Sequence, residues 1–304
     1  MGNSIAKKKR FKFKSEYIFE IINAIFLGAL ALSCLLPFVN LAAVSLSGAS
    51  AASTGLVGLW PVDFSLEAYG YAFGKSRFIL SIQNSLFRVV LGVAVNMGLT
   101  ILTAYPLSKT AKEIKIRSGV AWFFVITMLI GGGMIPTFLI VTWTGLRNTI
   151  WALIIPGAVP VFNVVVLQNF FKTTVPKELD ESAALDGAGD WRTMIQIYLP
   201  LSMPCIATLI VFITVGHWNE WFNGMIYLDD IRKYPLATYL HNVLKLPRFD
   251  DPNMTREEMQ RIAQISSKTL TSAQVMIATI PIIMIYPFLQ RFFVKGMTLG
   301  SLKG

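Results

Sequence analysis

The chain has 304 residues, of which 54% are apolar and 14% charged, and its mean hydropathy is +0.57. Soluble domains carry roughly a quarter charged residues, and a soluble chain this apolar would expose aggregation-prone surface, so the composition excludes an ordinary globular protein and points to an all-α membrane protein. The net charge of +10 does not indicate nucleic acid: the basic residues are dispersed, none forms a stripe on a polar helix, and membrane proteins place such residues in cytoplasmic loops.

Crossing about 30 Å of hydrocarbon takes roughly 20 apolar residues in a helix. Six runs qualify, over 18–46, 79–107, 119–144, 150–170, 205–227 and 272–293. The tail 1–16 ahead of the first run is basic, with Lys7, Lys8, Lys9, Arg10, Lys12 and Lys14. Within that run, Ala31-Leu32-Ser33-Cys34 faintly resembles a lipoprotein signal, but Ala31 stands where Leu is usual and the apolar run continues through Leu41. An uncleaved first helix over 17–46 is therefore expected. Both cysteines, Cys34 and Cys205, lie in apolar runs, which argues against a disulfide framework.

After an outside segment at 47–78, Gly74-Lys75-Ser76 has the end of a nucleotide-binding P-loop but lacks its first glycine, since Tyr69 occupies that place. The second run contains Arg88 and the amides Asn84 and Asn96, and the fourth contains Asn163 and Gln168; helix–helix hydrogen bonding is their expected role. In the third run, Gly131-Gly132-Gly133 permits either close helix approach or a kink. Pro37, Pro106, Pro136, Pro156, Pro160, Pro281 and Pro287 interrupt the runs, as membrane helices tolerate when neighbours re-satisfy the backbone. The last outside segment, 228–271, holds a turn-rich stretch at 246–252 and then a polar segment, Thr255 to Lys268, expected as a short surface helix.

Lysines and arginines set the orientation. With the N-terminus inside, sixteen fall in inside segments and ten in outside ones, seven of those ten in the long 228–271 loop. Long translocated loops weigh little, so both termini are expected in the cytoplasm.

The inside loop 171–204 carries the most information. Pro176 suits a helix start, and Glu178, Asp180 and Glu181 complement the positive N-terminal end. Gly187 can end that helix in a left-handed conformation, and a second short helix from about Asp190 would run into Leu199-Pro200. Two short helices at an angle form a knob suited to docking on a soluble partner; an amphipathic loop on the membrane surface fits the same residues.

The spacing of Glu181, Ser182, Ala183, Gly187, Ile197, Leu199 and Pro200 resembles the EAA signature of permeases from binding-protein-dependent ABC importers, with Ser182 in place of an alanine. Gly145–Thr149, Asn169–Lys172, Gly216–Phe222, Tyr286–Gln290 and Val294–Gly304 resemble flanking motifs of the carbohydrate-uptake members, among them the oligosaccharide and aldouronate types. The resemblance implies a type I importer permease fold in a single domain, 1–304. That domain would comprise the tail 1–16, the first helix, a five-helix core within 79–293 containing the loop 171–204, and the tail 294–304.

It also implies a bacterial plasma-membrane transport subunit, not an enzyme. Its partners would be a second permease, two ATPase subunits, an extracytoplasmic binding protein, the lipid bilayer and a sugar or oligosaccharide. No cofactor or metal is expected on this chain; ATP and Mg would be bound by the ATPases. Glu181, Ser182, Ala183, Ala184, Asp186, Gly187 and Ala188 would form the ATPase-coupling helix. Trp218, Asn219, Glu220, Trp221 and Asn223 offer aromatic faces and amides for a sugar path, while an interfacial aromatic belt with Asn219 in a helix contact fits them too. His217 is expected as a packing residue. The rival function is an ion-coupled carrier, which needs acidic groups within the membrane; only Glu20 and Glu220 stand near spans.

Overall fold

The computed structural model describes the backbone of residues 3–110, 113–245 and 267–301, and side chains over 17–110, 113–242 and 267–284. The turn-rich stretch 246–252 and all but the last two residues of the expected 255–268 helix lie outside the described residues. The described elements are helical throughout. The chain divides into two units, Met1–Gly74 with Arg248–Ile277 and Lys75–Pro247 with Ala278–Gly304.

In the first unit, α1 (Asn3–Ser45) runs unbroken through Pro37. Its side chains from Tyr17 to Val39 are exposed and almost all apolar. A helix apolar on every side is made for lipid or a protein core. The following segment folds back on the helix end: Asn40 donates to the carbonyl of Gly58 at 2.6 Å, Ser65 N to Leu46 O at 3.0 Å, and Val62 N to Ser47 Oγ at 3.0 Å. α2 (Ala49–Thr54) packs Ala51 and Ala52 against Ala43 in a small apolar cluster, and α3 (Glu67–Gly74) follows.

The second unit is built on α4 (Ser76–Ser108). Its C-terminal half meets α7 (Val161–Thr174) and α11 (Met203–Asn219) through Met97, Ala104, Leu167, Phe171, Leu209 and Ile213. Its N-terminal half buries Phe78 together with the polar Ser81, Ser85 and Arg88. Asn84 donates to the carbonyls of Arg232 and Tyr234 at 2.8 and 3.2 Å, and Ser85 Oγ accepts from Leu236 N at 2.7 Å. Asn96 donates to Gly157 O at 3.4 Å and lies 3.3 Å from His217 Nε2, so Asn96 acts in a helix contact, whereas Asn84 ties α4 to the segment 232–234. Gly92 is required at this crossing, because a Cβ there would sit 2.3 Å from His217 Nε2.

Three of the expected continuous spans are bent pairs. The third run splits into α5 (Arg117–Leu129) and α6 (Met134–Trp143), turned by 115° at the glycine triplet, where Gly133 has φ 82°. The fourth begins with the short 3-10 turns Ile150–Leu153 and Ile155–Gly157 and bends 52° into α7 at Pro160. The fifth is preceded by α9 (Asp190–Thr193), a π turn (Met194–Tyr198) and α10 (Leu199–Leu201), set at 83° to α11 across Ser202. That run also ends at Asn219 rather than 227, and α12 (Phe222–Tyr227) is a separate short helix. Among the described residues, α1 and α4 are each long and apolar enough to cross a membrane, and up to five elements are if each bent pair counts as one. α13 (Leu236–Lys245) and α14 (Ser267–Ser301) complete the order, with α14 covering the sixth run.

Candidate functional site: the loop after α7 and the break between α11 and α12

The loop between α7 and α11 holds α8 (Lys177–Leu185), which starts after Pro176 in extended backbone and has Glu178 and Asp180 in its first turn. Gly187 adopts φ 75°. Ala188 N donates to Ala183 O at 2.9 Å and Gly187 N to Ala184 O at 3.1 Å. Those two bonds are the Schellman pair, which satisfies carbonyls the helix end would otherwise leave open. The expected glycine stop is therefore present. The second helix also starts at Asp190, but it continues past Pro200 to Leu201 through the π turn.

α8 has two faces. Ala183 is buried and Asp180 half-buried on one side. Glu181, Ser182, Ala184, Leu185, Asp186 and Gly187 are exposed, Leu185 at 89%, and Trp191 beyond the turn at 67%. Ala188 is half-buried at the turn. An exposed face of small residues beside two large apolar ones suits a close protein contact.

The inward face is held by one ion pair. Lys109, directly after α4, bonds Asp180 Oδ2, and Tyr198 Oη donates to the same carboxylate oxygen at 2.9 Å. Sequence reasoning missed this pairing, since Lys109 and Asp180 are 71 residues apart and both read as loop charges.

The five residues offered as a sugar path surround the break between α11 and α12. Trp218 is buried and donates its indole N–H to Ala278 O at 3.1 Å. Asn219 is exposed at the end of α11. Glu220 accepts from Asn223 N through Oε1 at 2.7 Å, so it fastens the first turn of α12, and its Oε2 pairs with Arg88 at 2.7 Å. Arg88, itself 1% exposed, also donates to the Glu220 carbonyl at 2.9 Å. Trp221 stacks on His241 with ring centroids 3.7 Å apart. Asn223 is half-buried. Arg88 is the residue that sequence reasoning left without a partner. The signal was available, because a cation in an apolar span requires a counter-charge and Glu220 is the acidic residue at the end of the fifth run's helix.

Next to the break, the turn Gly145–Thr149 docks on the segment after α12. Asn148 N donates to Tyr227 O at 2.8 Å, and Arg147 pairs with Asp229 at 2.7 Å. A cavity of about 320 Å³ opens there, lined by Asn84, Phe87, Asn148, Leu153 and Lys233 among others.

Residues 110–222 match the family described as binding-protein-dependent transport system inner membrane component. Protein LplC of Bacillus subtilis (strain 168) is 38% identical over 291 residues, which is 96% of this chain and 97% of LplC. The polygalacturonan/rhamnogalacturonan transport system permease protein YtcP of the same organism is 38% identical across 94% of this chain and 99% of its own. Among solved structures, a bacterial ABC transporter involved in the import of the acidic polysaccharide alginate contains a chain 32% identical to this one. The two superpose with a TM-score of 0.83 over 92% of this chain and 98% of that chain.

Proposed function

This chain belongs to the family of binding-protein-dependent transport system inner membrane components, and from that premise we propose that it is one permease half of an ATP-driven importer for oligosaccharides containing uronic acids. As an ABC importer permease for sugars it is a transport subunit of the plasma membrane and not an enzyme. The finer reading has both termini in the cytoplasm, a second related permease beside this chain, and two ATPase subunits beneath them holding ATP and Mg. A binding protein outside delivers the sugar. The relatives named for polygalacturonan/rhamnogalacturonan and for alginate support an acidic substrate class, since both names denote uronate polymers.

The observation that carries the reading is α8: a short helix in the loop 171–204, stopped by a Schellman turn, with its Glu181–Gly187 face open and its Asp180 side tied inward. Such an element can take up an ATPase subunit from below. ATP-driven closure of the ATPases would then favour the outward-facing arrangement, and hydrolysis the inward one. A ligand shifts such an equilibrium only by its differential affinity for the two states. Along the sugar path, Asn219 and Asn223 are the groups able to offer amides. Trp218 and Glu220 hold α11, α14 and α12 in place around them. The commitment of Glu220 to Arg88 and Asn223 N also removes it as a free proton carrier.

The test uses proteoliposomes containing this chain, its companion permease, the ATPases and the binding protein. Uptake of a galacturonate trisaccharide should require ATP on the ATPase side and exceed uptake of maltotriose. Uptake that persists without the ATPases and follows a proton gradient would overturn the reading in favour of a carrier.

A further inference from the structure

Five elements of the second unit gather around one cation at the inner end of α4, three of them touching it. Lys109 Nζ lies 4.8 Å from the ring centre of Tyr105 and 4.7 Å from that of Tyr198, bonds Asp180 Oδ2 and donates to Tyr198 Oη at 3.3 Å. The two tyrosine rings meet edge to face with centroids 5.0 Å apart, and Phe171 of α7 packs edge-on to Tyr198 at 5.3 Å. Tyr105 Oη donates to Asp190 Oδ1 at 3.4 Å, which brings in the start of α9. The Lys109 and Asp180 side chains are only 11% and 20% exposed, so water competes weakly for the pair.

Among the described residues, Asp180 is the α8 side chain hydrogen-bonded to another element. The Ser182 hydroxyl stays within α8, donating to Glu178 O. The inward grip of α8 thus rests on the Lys109–Asp180–Tyr198 knot and the buried Ala183 methyl. At the other end of that knot stands α4, whose 33 residues make a rod of about 50 Å at 1.5 Å per residue. Toward its outer end the same rod carries Arg88, the partner of Glu220 at the α11–α12 break.

We infer that Lys109 is a positioning residue for transport: with Asp180 and Tyr198 it forms a joint that makes α8 and α4 move as one body, so that displacement of the docking helix reaches the outer helix break. The inference rests on the reading of α8 as the ATPase-docking element. A mere stitch that stabilises the loop would raise folding stability without fixing the α8–α4 distance during turnover. The joint requires that fixed distance.

The measurement is made on the assembled importer in nanodiscs. Spin labels are placed at Lys177→Cys on α8 and Val90→Cys on the exposed side of α4, in a chain whose Cys34 and Cys205 are replaced by serine. Wild type and Lys109→Arg should give one distance distribution that is the same without nucleotide and when trapped with ATP and vanadate. Lys109→Met, which keeps length but not charge, should shift that distance between the two states by more than the wild-type width. Asp180→Asn, nearly isosteric, should do the same even where the methionine variant fails to assemble. Unchanged distances in both charge-removing variants, with the ATPases still attached, would overturn the joint. So would a wild-type distance that itself changes between states. A wild-type chain that retains no ATPase subunit would overturn the docking reading of α8, and the joint with it.

Discussion

Arg88 is the residue that ties α4 to the break between α11 and α12. Its guanidinium is buried in α4, and it is fixed by the side chain and carbonyl of Glu220. Removing one member of such a pair leaves an uncompensated buried charge, a loss of about 3–5 kcal/mol, whereas replacing both by apolar groups is often close to neutral. Glu220→Ala should therefore lower the melting temperature of the purified chain markedly, and Arg88→Met combined with Glu220→Met should recover most of the loss. Equal melting temperatures for the single and double variants would show that the pair does not hold the break. Four residues along α4 from Arg88, the requirement is steric. Gly92→Ala would press a methyl into the His217 ring, and overpacking of this kind costs about 1–3 kcal/mol. Gly98→Ala on the same helix meets nothing within 4 Å and should be tolerated, so the two variants, compared by thermal unfolding, separate crossing geometry from helix propensity.

At the scale of elements, α8 ends as its sequence implies, because a glycine at φ 75° has no Cβ to strain the backbone. An L-residue there costs roughly 1–2 kcal/mol, with asparagine the best tolerated. Gly187→Val should thus weaken retention of the ATPase subunits during purification, and Gly187→Asn should retain them. Equal retention in both would show that the turn is not needed for docking. The membrane elements were harder to foresee. Pro37 and Pro106 sit inside unbroken helices, while the sharpest bend falls at Gly131–Gly133. A proline removes one hydrogen bond that a membrane helix can re-satisfy locally. Three consecutive glycines remove every side chain that would favour the helical backbone.

At the scale of the whole molecule, sequence and structure divide the explanation between them. Apolar run lengths and the spacing from Pro176 through Gly187 to Pro200 made the helical class and α8 legible, because both are properties of neighbouring residues. The Lys109–Asp180 pair was not, since it joins residues 71 positions apart and depends on how α4 packs; of the Arg88–Glu220 pair, 132 positions apart, the sequence carried only the need of a cation in an apolar span for a counter-charge. The same limit hid the bends, which change direction without changing composition. The proposed orientation, with both termini in the cytoplasm, has its own test. In intact cells producing a chain with Cys34 and Cys205 replaced by serine, Ser182→Cys should resist a membrane-impermeant thiol reagent until the membrane is opened. Trp60→Cys, 82% exposed in the segment after α1, should react at once. The reverse pattern would invert the topology.

The central claim is that α8 receives force from an ATPase that this chain does not contain. It is tested most directly by ATP hydrolysis in the purified complex with its binding protein, with and without a galacturonate oligosaccharide, comparing wild type with Glu181→Lys. Hydrolysis should rise with the loaded binding protein in the wild type, and the charge reversal on the exposed face of α8 should abolish that rise and weaken ATPase retention. ATPase retention and stimulated hydrolysis that are the same in Glu181→Lys as in the wild type would contradict it.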